Sequence, residues 1–192
     1  MRKCFPAIML LTGIFAVAVL HANGWTAAGS TGIVDEADLN KIVLNNDGSA
    51  SIASTVNAVT AKVRFNITDV SGVEPSEEEG QIGNIPGIEV AYRDNGPGAR
   101  VYVKVKRIHI GLSISGGQLG TVDELAAMDS DTHPASSGWQ TMSSSMRKVD
   151  FLCCLTGLRF PDYAYVVEVQ LIKSASTGNP GLLGLRFFND QA

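Results

Sequence analysis

Between Arg100 and Ile110 the chain alternates apolar and polar residues with a period of two, and that period admits a β-strand and little else. Val101, Val103 and Val105 fall on one side of the strand, and Tyr102, Lys104 and Lys106 on the other. The phase then slips, because Ile108 and Ile110 are apolar and Arg107 is not. A slip of one residue turns the wrong side chains inward. The spacing therefore predicts a β-bulge or sharp bend near Lys106-Arg107.

Two further long runs share the period. Tyr163 to Lys173 places Tyr165, Val167, Val169 and Leu171 inward and Glu168 and Gln170 outward. Ala61 to Val70 places Val63, Phe65 and Ile67 inward and Lys62, Arg64 and Asn66 outward. Shorter strands are expected at Lys41–Leu44, Ala50–Ala53, Ile88–Tyr92, Leu112–Ile114, Gly120–Leu125, Trp139–Ser143 and Leu182–Phe188. Asp94-Asn95-Gly96-Pro97-Gly98 and Thr177-Gly178-Asn179-Pro180-Gly181 read as hairpin loops, with a third turn at Asn45-Asn46-Asp47-Gly48. One helical turn is expected at Asp35–Asn40. Asp123–Met128 is a weak helical candidate in competition with strand. Glu74–Gly87 and Asp129–Gly138 read as irregular loops. The expected fold is all-β: an antiparallel sandwich of jelly-roll type with about 8–10 strands and little helix.

The N-terminus carries a different signal. Arg2 and Lys3 precede an uncharged, mostly apolar run from Ala7 to Leu20, and Ala22-Asn23-Gly24 offers small residues just before Trp25. That layout is a secretory signal peptide over residues 1–24. The run falls short of the roughly 20 residues that span a bilayer, and no later stretch serves. Residues 25–192 are then expected to form one exported domain, periplasmic, cell-surface or extracellular. Loss of Arg2 and Lys3 takes the formal charge of −4 to about −6, which argues against nucleic-acid binding. Asn66-Ile67-Thr68 is a glycosylation triplet that matters only in a eukaryotic secretory route. The compact signal reads as bacterial.

Two cysteines remain after cleavage, Cys153 and Cys154, and neighbours cannot close a loop. Three readings stay open: a vicinal disulfide, a bond to another chain, or small packing residues that stay reduced. His109 and His133 are the imidazoles left to serve a thiol, and nothing places either beside the pair.

Asp129, Asp131 and His133 recur at every second position. Extended, they share one side, and such oxygen donors suit Ca²⁺. An exposed polar loop ahead of Pro134 is the plainer reading. Tyr102, Lys104 and Lys106 form the best binding row, an aromatic and two cations suited to an acidic glycan or a protein partner. A lysine-guarded strand face is the plainer reading there. Trp25 and Trp139 are sugar-stacking candidates or core-rim anchors. No Gly-x-Ser-x-Gly, His-Glu-x-x-His or phosphate-binding loop occurs. The sequence points to a non-catalytic binding or structural protein, with carbohydrate or protein as partner. The alternatives are a small metal-dependent hydrolase and a self-assembling surface component.

Overall fold

A computed structural model describes residues 25–67, 85–111, 119–146 and 163–190. Residues 1–24, the predicted strand Leu112–Ile114, most of the Glu74–Gly87 loop and the Cys153-Cys154 pair lie outside the described residues.

The described chain folds into two antiparallel sheets, a β-sandwich, built from β1 (Thr26–Ala28), β2 (Ile33–Val34), β3 (Ile42–Leu44), β4 (Ala50–Ile52), β5 (Val59–Ile67), β6 (Ile85–Asp94), β7 (Ala99–His109), β8 (Val122–Asp129), β9 (Ser136–Ser145), β10 (Tyr163–Lys173) and β11 (Gly181–Asp190). The front sheet runs β3-β4-β11-β6-β9, with β1 also on β11. The back sheet runs β2-β5-β10-β7-β8. The strands too short for the alternation to reveal are β1 and β2. Asp123–Met128 is strand, and the Asp35–Asn40 turn is a 3-10 turn at Glu36–Asp38.

The core lies between the sheets and is the inward half of each alternating run. Val101, Val103, Val105, Val167, Val169, Leu171 and Val63 from the back sheet meet Ile88, Val90, Tyr92, Leu182 and Phe187 from the front. β-branched residues fill these positions because they pack well on a pleated surface.

Three expectations change. β7 pairs with β10 in unbroken register from Tyr163↔His109 to Lys173↔Ala99, so β7 carries no bulge. Its alternation continues, with Arg107 and His109 facing inward and buried while Ile108 faces out. The register shift at this point is real but belongs to β8. Val105 pairs with Ala126 and Lys106 with Glu124, so Leu125 is the extra residue. Arg107 tolerates burial because Asp123 Oδ2 accepts from its Nη2 at 2.7 Å and its guanidinium lies 4.2 Å from the Tyr163 ring centroid. His109 stacks on the same tyrosine at 5.0 Å.

The Asp94–Gly98 and Thr177–Gly181 loops are not hairpins. Each crosses from one sheet to the other, β6 to β7 and β10 to β11. They clasp each other: Asn95 Nδ2 donates to Thr177 O at 2.8 Å, and Asn179 N donates to Asn95 Oδ1 at 2.6 Å. Asn45–Gly48 does close a hairpin, between β3 and β4.

Candidate functional site

The outward row of β7 sits in a lattice of opposite charges. Lys104 Nζ donates to Glu124 at 2.7 Å, and Lys106 Nζ donates to Glu168 at 3.0 Å. Tyr102 lies between two cations, with the Arg100 guanidinium and the Lys104 ammonium each 5.4 Å from its ring centroid. Glu168 is the hub of the face, only 5% exposed although it points outward. Lys106, Lys62, Arg64 and Gln170 surround it. Burial by itself raises its pKa, but the hydrogen bonds from Gln170 and Lys106 and the charges of Lys106 and Lys62 outweigh that, holding it at about 2.

Asp129 and Asp131 both turn to Arg100. Arg100 Nε donates to Asp129 Oδ1 at 2.8 Å and lies 3.2 Å from Asp131 Oδ2. The hydrogen bond from Arg100 leads the lowering of the Asp129 pKa. Among the described residues no three His, Cys, Asp or Glu side chains gather as a metal site. His133 lines a depression of about 520 Å³ with Arg100 and Asp131, and a second of about 320 Å³ with Tyr102, Asp129 and Ser143. Two clusters that the sequence shows as separate, the Tyr102 row and the Asp129–His133 loop, thus form one region at the edge of the back sheet.

Trp139 belongs to the opposite outer face. It lies in β9 where three residues, Ser137, Gly138 and Trp139, stand opposite Arg93 alone. Trp139 falls on the outward side of the strand's alternation, next to Gln140, which pairs with the buried Tyr92, and its indole lies over the front sheet, 38% exposed. The ring reaches across β6 to β11: a Cβ on Gly181 would lie 3.1 Å from its edge. The Arg93 guanidinium carbon is 4.9 Å from the indole centroid. Arg93 is itself held by Asn179, donating to its carbonyl at 3.3 Å and to its side-chain oxygen at 3.1 Å. Trp25 takes the other role open to it: half-buried, 5.7 Å from the core Phe187 ring.

The sequence passed over Phe188, Glu89, Arg93 and Arg186, which share this outer face. Arg186 Nε is 2.8 Å from Glu89 Oε1, and its guanidinium lies 5.8 Å from the Phe188 ring centroid. Phe188 covers Gly87 on β6, where a Cβ would lie 2.6 Å from the ring. No single run betrays the group, because its members come from β6 and β11, two strands distant in the chain.

No protein-family model and no curated protein matches the chain. Among solved structures it is similar to the C-terminal CBM6 of LamC from Zobellia galactanivorans (12% identity, 87% of this chain and 100% of that one, TM-score 0.43). It is similar to the xylan-binding module CBM15 (13% identity, 78% and 82%, TM-score 0.41). It is also similar to a family two carbohydrate esterase from Cellvibrio japonicus (10% identity, TM-score 0.38), covering 88% of this chain and 36% of that enzyme. Those names describe those proteins.

Proposed function

We propose that this protein is a non-catalytic, carbohydrate-binding β-sandwich that acts after export, with Trp139 as its anchor. The observation that supports the reading is the presentation of Trp139. Trp139 lies on the outward side of β9, Gly181 lets it lie close over the sheet, and Arg93 stands beside it already fixed by Asn179. A pyranose has an apolar face of C–H groups and a rim of hydroxyls. An indole suits the face, and the guanidinium N–H groups left over by Asn179 suit the rim. Because both groups are fixed before a ligand arrives, little conformational entropy is lost on binding.

The Tyr102, Lys104 and Lys106 row is the weaker binding surface. A ligand there must compete with Glu124 and Glu168 for both ammonium groups.

Affinity electrophoresis of the purified protein through gels containing soluble polysaccharides tests the reading. At least one polymer is expected to retard it. Trp139→Ala should weaken that binding by roughly thirtyfold, the loss of about 2 kcal/mol typical of a central aromatic. Equal retardation of wild type and Trp139→Ala would remove Trp139 as the anchor.

A further inference from the structure

The outer face of the front sheet carries a second aromatic in line with the first. Gly181 pairs with Arg93 beside Trp139, and Phe188 pairs with Gly87. From Arg93 to Gly87 is six positions along β6, about 20 Å at roughly 3.4 Å per residue. Both aromatics therefore sit on one face at the two ends of a span long enough for several pyranose units in line. Phe188 rests on Gly87 of the neighbouring strand, and Trp139 reaches over β6 to Gly181 of β11.

Between them lies a row of small residues. Ala28, Gly184, Ala91 and Thr141 align across β1, β11, β6 and β9, with Leu183 the extra, half-buried residue of β11 beside Gly184. The next level carries the Arg186–Glu89 pair with Ser143 alongside. Among the described residues the charges of this face balance. Arg186 pairs with Glu89, and Asp47 lies close enough to Arg93 for the cation to lower its pKa, after the larger effects of its Ser49 hydrogen bonds. A face with matched charges favours an uncharged ligand, and charged groups of both signs provide donors and acceptors for hydroxyls.

We infer that this face is a linear site for an extended, uncharged polysaccharide chain. Trp139 and Phe188 are its two end platforms, and Glu89–Arg186 is the polar grip between them. The inference rests on the carbohydrate reading of Trp139 and adds to it the ligand's charge class, its length and a second platform. Two weak platforms on one rigid face act as linked sites. Affinity then rises with chain length until one chain reaches both, and then levels off.

Titration calorimetry with the purified protein tests this. The ligands are hydroxyethylcellulose, xylan, galactomannan and polygalacturonate, followed by an oligosaccharide ladder cut from whichever neutral polymer binds. A neutral polymer should bind and polygalacturonate should not. Affinity should climb by about tenfold or more along the ladder before the plateau. Phe188→Ala should abolish that climb, so that long oligosaccharides bind no more tightly than short ones. Should Phe188→Ala fail to fold, Arg186→Gln, at a side chain 57% exposed, should weaken the long ligands severalfold. If the ladder is flat, if polygalacturonate binds best, or if the folded variants bind long chains like wild type, the linear neutral site is wrong while Trp139 remains a sugar anchor. If no polymer binds the folded protein, both readings fall together.

Discussion

Glu168 shows how an outward-facing carboxylate becomes structural. Its ionised form is favoured by Gln170, Lys106 and Lys62 strongly enough to overcome burial, which leaves its folded pKa at about 2, below the ordinary glutamate value of 4.5. A depressed folded pKa gives stability that is fully present above the unfolded value. That stability fades as pH falls from about 4.5 toward 2. A shift of that size corresponds to at most about 3 kcal/mol. Glu168→Gln is therefore expected to lower stability at pH 7 by about 1–3 kcal/mol, since it leaves Lys62 and Lys106 facing a neutral amide, whereas Arg64 keeps its pairing with Asp35. The gap between wild type and variant in urea melts should close near pH 2. A gap that is as wide at pH 2 as at pH 7 would show that the charge of Glu168 is not its contribution. Asp129 and Asp131 illustrate the same economy, because Arg100 supplies the positive charge a metal would bring. Millimolar Ca²⁺ is accordingly expected to leave the melting temperature unchanged. A rise reversed by chelator would return these carboxylates to the role of metal ligands.

Strands were legible where burial makes the sequence alternate, and illegible where pairing decides. Val101, Val103 and Val105, like Tyr165 to Leu171, announce their inward faces, because one side of each strand meets the core and the other meets water. Alternation does not say which strand lies alongside. The two Gly-Pro-rich loops look like hairpins for that reason, although each carries the chain across to the other sheet. The end of β7 misleads for a related reason: Arg107 reads as an outward residue until Tyr163 and Asp123 are seen around it. Trp139 stands out in the sequence, whereas Phe188 and Arg93 become meaningful only once β6, β9 and β11 are in register. The clasp between the crossing loops yields its own prediction. Gly178 approaches Gly98 so closely that a Cβ would lie 1.9 Å from its carbonyl oxygen, and Gly98 has φ +103°. Gly178→Ala must force the loops apart. Asn95→Ala removes two hydrogen bonds, at a cost of about 1–2 kcal/mol. In urea unfolding at neutral pH both variants should be destabilised, Gly178→Ala more than Asn95→Ala. The reverse order would mean that the side-chain bonds, rather than the close approach, hold the two loops together.

The molecule as a whole ties its N-terminal strand to the sheet that carries Trp139. Trp25, the first residue after the predicted signal, accepts a hydrogen bond from Phe187 N at 2.8 Å, and its ring packs against Phe187. β1 then pairs with β11 from Thr26↔Arg186 to Ala28↔Gly184, alongside the span between Trp139 and Phe188. Processing between Gly24 and Trp25 would leave all of these contacts in place, whereas processing one residue later would remove the Trp25 ring from the core rim. Mass spectrometry of the exported protein is expected to give Trp25 as its first residue. Trp25→Ala should lower stability by about 1–3 kcal/mol, less than a fully buried tryptophan because the ring is only half-buried. It should also weaken glycan binding less than Trp139→Ala, since Trp25 faces inward and acts on the site only through β1. An N-terminus at Thr26 in a protein of unchanged stability would refute the anchoring role of Trp25. Such a result would also mean that β11 holds its outer face, Arg186 and Phe188 included, without help from the residue that follows the signal.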